Sequence, residues 1–331
     1  MLSCGGEDGM KERNVFLTKN QSLALRGIGI ILVIMSHYAV WFAELIPNES
    51  LQYGMTRLGV YGVDIFLAAS GYGLVKSVAG KKPGISFVWG RLKNTWLPYL
   101  VIVGLMEAFA GGFACVKDWY QYLSGYDYWF IRNILVFYIM FLGIWKLFSN
   151  VHIRSILLTA AVFLYSWWLV TIGRADFWYV SNIAFVLGIL AAQYEKQLLR
   201  WCGYAYGLQM MILTIFVFVI VKSGVDARLI PPSPSDKIVY GVLASGVWTL
   251  FAVQLAKMLP DRMRMLPFLG RISLELYLTH TFLYYRVINS LTEMDKIWQG
   301  ILAVLLTIVI SGLIHEGFTR LLNRIFPAGG K

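Results

Sequence analysis

Charge is what this 331-residue sequence has least of: 14% of its residues are Asp, Glu, Lys or Arg, while 58% are hydrophobic. That balance, with a mean hydropathy of +0.63, excludes an ordinary soluble globular domain. Cysteine is almost absent, and Cys4, Cys115 and Cys202 are too far apart for a metal-binding motif. No apolar core precedes residue 22, so no cleaved signal peptide is predicted. Internal repeats, low-complexity tracts and soluble modules at either end are also lacking. What remains is one membrane domain over residues 22–325, between an N-terminal segment 1–21 and a tail 326–331.

Long apolar runs are plentiful. About 20 apolar residues are needed to cross about 30 Å of hydrocarbon, and ten such windows can be drawn, at 22–42, 59–76, 96–114, 128–147, 154–172, 177–194, 203–221, 238–257, 268–288 and 298–319. The fold class is therefore all-α, a polytopic bundle of about ten transmembrane helices in a cell membrane. With the N-terminus placed inside, the short connections carry 19 Lys and Arg on the inner side and 7 on the outer, and Arg26, Arg132 and Arg286 fall within spans. This bias puts both termini in the cytoplasm. It also explains the net charge of +11 without a nucleic acid, which is not expected as a partner. Only Cys115 then faces outward, and no structural disulfide is predicted.

The first window, LRGIGIILVIMSHYAVW over 25–41, holds an arginine near its start and a histidine near its end. Ionisable side chains inside a span are costly unless they face protein or water, so each marks a site. Arg26 and His37 are eleven positions apart, which leaves them about 20° apart around a helix and about 16 Å apart along it. One face of this helix is a polar seam.

An arginine, ten intervening residues and a histidine in the first span resemble the hallmark of the membrane acyltransferases of family 3. Three further stretches carry the resemblance: GVDIFLAASGY within 59–72, YWFIRNILVFY at 128–138 and LGRISLELYLTH at 269–280. Together they cover about residues 22–325. The family resemblance implies a cytoplasmic acyl-CoA donor, acetyl-CoA above all, and a hydroxyl acceptor on a surface polysaccharide sugar or lipid-linked glycan precursor. No permanently bound cofactor and no metal are expected. One departure stands out: RLKNTWLP has Arg91 followed three residues later by Asn94, where the family has a second arginine, and Lys93 lies beside that position.

The residues give each candidate a chemical role and a plainer alternative. His37 is the expected general base, or a transient acyl carrier. Asp64 is expected at its depth to orient it, or else to cap the second span near the headgroups. Arg26, Arg91 and Lys93 form a cationic mouth for the anionic donor nucleotide, although Arg91 and Lys93 also read as an ordinary positive inner loop, as Lys81 and Lys82 do. Ser70, beside Gly71, reads as a packing position rather than a nucleophile. Glu107 and Arg132 are expected to form an ion pair in the outer half. Trp129 belongs to an interfacial belt or to a sugar platform. On the ninth span Arg271 and Glu275 can pair along one face, while Ser273, Tyr277 and His280 share another that looks into the bundle. His280 is either a satisfied buried histidine or a direct participant. His152, His315 and Glu316 are assigned no chemistry. A transporter is the rival class, but it predicts inverted repeats or Gly/Pro-broken helices in two halves, which are not visible; a non-catalytic relative acting as a flippase or assembly partner is the third reading, kept open by the missing second arginine.

Overall fold

Thr18 sets the start of the first helix. Its hydroxyl accepts from the Gln21 N–H at 3.2 Å, and the Gln21 amide oxygen accepts from the Thr18 N–H at 3.1 Å, which satisfies donors of the first turn. From there α1 runs without interruption over Lys19–Trp41, so the Arg26 to His37 seam lies on one continuous helix. The structure is a computed structural model that describes residues 16–78, 83–110, 112, 116–225, 233–260 and 263–325, with no strand among them. Cys4, Cys115, Lys81, Lys82, most of the 1–21 segment and the 326–331 tail lie outside the described residues.

The second helix, α2, spans Glu49–Val78, and the Asn48 side chain accepts from the Leu51 N–H at 2.8 Å just before it. It therefore begins ten residues earlier than the apolar window at 59. Next come α3 (Ile85–Arg91), a π turn at Leu92–Trp96 and α4 (Leu97–Ala110). Pro98 accounts for the wide turn, because it has no N–H to return to the carbonyl four residues back and the ladder must loosen around it. The chain continues through α5 (Val116–Ser124), α6 (Trp129–Leu147), α7 (Val151–Thr171), a 3-10 turn at Asp176–Trp178 and α8 (Ile183–Gln193). It closes with α9 (Glu195–Gly203), α10 (Tyr206–Val225), α11 (Pro234–Met258), α12 (Met265–Arg271), α13 (Ser273–Arg286) and α14 (Lys296–Ile325).

Among the described residues, seven segments are long and apolar enough to cross a membrane, or eight if α9 and α10, bent by 98°, count as one. Two of the ten windows are not among these segments. The window at 96–114 falls on α4, which is only 14 residues long, and the window at 268–288 is split between α12 and α13 at Ile272. Composition identified both as apolar, but apolar content does not report where a helix stops. The architecture is nonetheless a polytopic helical bundle, and the protein is a multi-pass membrane protein.

Lipid tails are as apolar as leucine, so burial alone does not hold such helices together; close backbone approach and internal hydrogen bonds do. A Cβ at Gly62 would collide with the Gly29 carbonyl on α1, so glycine there lets α1 and α2 touch along their backbones. The central core draws Ile30 from α1, Leu67 from α2, Phe137 and Phe141 from α6, Leu158 from α7, Phe185 and Ile189 from α8, and Leu276 from α13. Large apolar residues of α10 and α14, among them Phe218 and Leu313, are left exposed as a surface for lipid. Two ends can be told apart. Trp41, the start of α2, Trp129, Trp178 and the end of α13 mark the His37 end, while Lys76, Glu195 and Lys257 mark the Arg26 end.

Candidate functional site

His37 is one turn from the end of α1, and its Nδ1 is 2.9 Å from the Val33 carbonyl oxygen. A carbonyl only accepts, so Nδ1 carries the proton and Nε2 keeps the lone pair. His280 on α13 repeats the device, with Nδ1 at 3.0 Å from the Leu276 carbonyl. Its Nε2 is thereby an acceptor, and it faces His37 Nδ1 at 3.3 Å, with the Thr281 hydroxyl also at 3.3 Å. The two imidazoles meet edge to face, with centroids 4.8 Å apart. Trp41 closes over them at 5.5 Å from His37 and 5.9 Å from His280, and is itself stacked on Tyr284 at 4.1 Å. His280 is buried and His37 half-buried. The base candidate faces protein, not hydrocarbon.

Asp64 is elsewhere, and the expected Asp64–His37 pair is corrected. Its carboxylate is fully buried, accepts from the Ser245 hydroxyl of α11 at 2.7 Å, and leaves Oδ2 without a hydrogen-bond partner. The reason is helix phase. Gly59 and Gly62 face α1, the first against Ser36 and the second against Gly29 and Val33. Asp64, two residues beyond Gly62, points about 200° away, and lies about 8 Å deeper than Gly59. The early start of α2 removes the depth match, because the window at 59 is not where the helix begins.

At the other end of α1, Arg26 lies within electrostatic range of Tyr138 and of Arg91. The Arg91 guanidinium sits over the Phe87 ring at 5.3 Å, and its buried Nε has no hydrogen-bond partner. No carboxylate among the described residues forms an ion pair with either arginine. Lys93 occupies the adjoining π turn, a local geometry frequent at functional sites. Two guanidinium groups within electrostatic range of each other, with no ion-paired carboxylate among the described residues, repel each other and are stabilised by an anion.

Family comparison decides the class. A family model described as an acyltransferase domain matches residues 23–316, almost the whole chain. The chain belongs to the membrane acyltransferase family 3. No curated protein and no solved structure matches it.

The remaining candidates of this acyltransferase are distributed unevenly. Ser70 is half-buried beside Gly71, whose Cβ would meet the Phe185 carbonyl of α8, and it is hydrogen-bonded to none of the four histidines. Glu107 and Arg132 do not pair, which corrects another expectation. The Glu107 carboxylate folds against Gly112 and lines a cavity of about 90 Å³ with Tyr99, Asp118, Asp127 and Tyr128. Burial there pushes the Asp127 carboxyl above its usual value. Arg132 turns the opposite way, over the Tyr126 ring at 5.6 Å. Trp129 is half-buried and packs on Phe177 at 5.4 Å and on Trp178 at 6.2 Å, in an aromatic cluster at the His37 end. Tyr277 bridges the two clusters, 6.1 Å from His280 and 5.4 Å from Phe130.

Glu275 supplies a further correction. It is buried and bonded to His315 Nδ1 of α14 at 2.8 Å, while Arg271 is exposed. Spacing along one helix could propose only a partner on that helix. Sequence reasoning also passed over Ser245, Trp41, Tyr284 and Arg174. Trp41 follows His37 by four residues, and that i,i+4 relation was the one available signal.

Proposed function

We propose that this acyltransferase takes an acyl group, acetyl in the simplest case, from cytoplasmic acyl-CoA at the Arg26 end and delivers it to a sugar hydroxyl of a surface polysaccharide or lipid-linked glycan at the His37 end. The observation that carries this is one continuous helix with Arg26 at one end, where Arg91 of α3 adds a second guanidinium and neither has an ion-pair partner among the described residues, and at the other end His37, whose Nε2 keeps its lone pair. Arg26 and Arg91, with Lys93 beside them, dock the phosphates of the donor. The roughly 16 Å from Arg26 to His37 is comparable to an extended phosphopantetheine arm, so the thioester reaches the imidazole while the nucleotide stays below.

His37 Nε2 removes the proton of the acceptor hydroxyl as its oxygen bonds to the thioester carbonyl carbon. The carbon–sulfur bond then breaks, and the CoA thiolate takes the proton back from the imidazolium. His280 is a positioning residue: its Nε2 shares the His37 Nδ1–H with the Val33 carbonyl, orienting the ring and supporting the positive charge that develops on it. That is the task sequence spacing had given to Asp64. The positive inner loops orient the Arg26 end to the cytoplasm of a cell membrane.

The test is transfer of labelled acetyl from acetyl-CoA to a glycan by the purified protein in nanodiscs. Transfer by the wild type and none by His37→Ala is the expected result. Transfer by His37→Ala at the wild-type rate would remove the mechanism, and no donor turnover by the wild type would remove enzymatic function.

A further inference from the structure

At the His37 end, the 3-10 turn Asp176–Trp178 gathers more positive charge than it neutralises. Asp176 is shared by Arg57 at 3.4 Å and Lys237 at 3.8 Å. Next to it, Arg174 lies over the rings of Tyr126 at 4.6 Å and Trp178 at 4.9 Å, and its Nη1 donates to the Tyr126 hydroxyl at 2.8 Å. Arg132 approaches the same Tyr126 ring at 5.6 Å. Both guanidinium groups also lie within electrostatic range of Tyr165. Neither forms an ion pair with a carboxylate among the described residues, so of these four cations only Arg57 and Lys237 have a carboxylate partner, the shared Asp176. Arg174 is held by aromatic faces and one hydroxyl, an arrangement that fixes a guanidinium while leaving most of its donors unspent.

We propose that the Arg132–Arg174 patch binds the oxyanion, carboxylate or phosphate, of an acidic saccharide, and that this saccharide is the acyl acceptor. The acceptor role rests on the acyltransferase function proposed above; the anion site does not. Charge alone would equally suit a lipid headgroup. The aromatic surroundings favour the sugar: Trp178 is 7% exposed and packed inside the bundle, not out among headgroups. The aromatic band also continues inward, from Trp129 to Phe130 to Tyr277 and so to His280. A saccharide anchored by its acid group on the arginines is held at the end of the bundle that carries the base.

The experiment is a fluorescence titration of the full-length protein in phosphatidylcholine nanodiscs, since Trp178 is close enough to Arg174 to report binding. Ligands are a glucuronate-containing disaccharide, the matched neutral disaccharide and a sugar phosphate. The expected result is binding of one or both acidic ligands at least about tenfold tighter than the neutral one, from a charge-assisted hydrogen bond of about 1.5–3 kcal/mol. Whichever acidic ligand binds names the oxyanion. Arg174→Gln and Arg132→Gln should each abolish most of that preference. Arg174→Lys, which keeps the charge without the fork, should retain part of it and shows that loss in Arg174→Gln is not misfolding. Arg286→Gln, on an exposed arginine at the same end, should change nothing.

Equal binding of acidic and neutral saccharides, an acid preference that survives both glutamine variants, or a response only to anionic lipid in the nanodisc would each overturn the site. Acyl transfer, measured in parallel, separates the two claims. Acid-selective binding without transfer leaves the patch and removes the enzyme; transfer to neutral glycans unaffected by Arg174→Gln does the reverse.

Discussion

The two ends of α1 solve opposite problems. At one end the imidazole pair is satisfied by neighbours: the Val33 carbonyl and His280 fix one nitrogen of His37, and Leu276 fixes the partner ring. At the other end the arginines are not, because Arg26 and Arg91 lie within electrostatic range of each other, neither has an ion-pair partner among the described residues, and the buried Arg91 Nε–H is unmatched. A satisfied constellation is rigid before any ligand arrives, as a base requires. An unsatisfied one is completed by its ligand, and thereby selects an anion.

That contrast can be broken at four points. The largest effect belongs to His37→Ala, which should lower acyl transfer by about 10²–10⁴-fold, the usual contribution of general base catalysis, with donor binding unchanged by equilibrium dialysis. If donor affinity fell equally, the two ends would not be separate functions. Next come Arg26→Gln and Arg91→Gln, each expected to raise the KM for acyl-CoA about 10- to 100-fold, as loss of a charge-assisted contact of about 1.5–3 kcal/mol implies, with kcat at saturating donor nearly kept. A fall in kcat alone would place these arginines at the chemical step.

His280→Ala should be milder. Removing one hydrogen bond of about 1 kcal/mol predicts a drop in kcat of about fivefold with KM unchanged, and His280→Gln, whose amide oxygen can accept from Nδ1–H, should recover part of it. Recovery by Gln and not by Ala is what a merely space-filling role would fail to produce. The smallest effect is expected of Asp64→Asn, within about twofold in transfer rate, because the amide oxygen can still accept from Ser245 and no cation loses its partner. Loss of activity comparable to that of His37→Ala would restore Asp64 to the mechanism and cancel the role assigned to His280.

Much of the molecule was legible in its residues. Apolar runs identified most of the helices, since among the described residues each window drawn on hydropathy falls mainly on helix, and the seam from Arg26 to His37 followed from 3.6-residue periodicity within one uninterrupted segment. Such features are local: they depend on the geometry of a single helix and on the cost of charge in hydrocarbon. The motifs at 62–72, 128–138 and 269–280 were enough to indicate the family that the match over residues 23–316 shows.

Partnership was not local. His37 met His280 rather than Asp64, Glu275 met His315 rather than Arg271, and Arg132 met Tyr126 rather than Glu107. Each outcome depends on how far a helix is rotated about its own axis and where it begins. On α2 those were set by close backbone contact at Gly62 and by the cap at Asn48, and an error of two residues turns a side chain to the opposite face. The chain's sequence therefore determined which groups enter the membrane and on which face of their own helix they lie. Only the packing of helix against helix decided which of them touch, because contact between elements is fixed by rotation and register that no single segment contains.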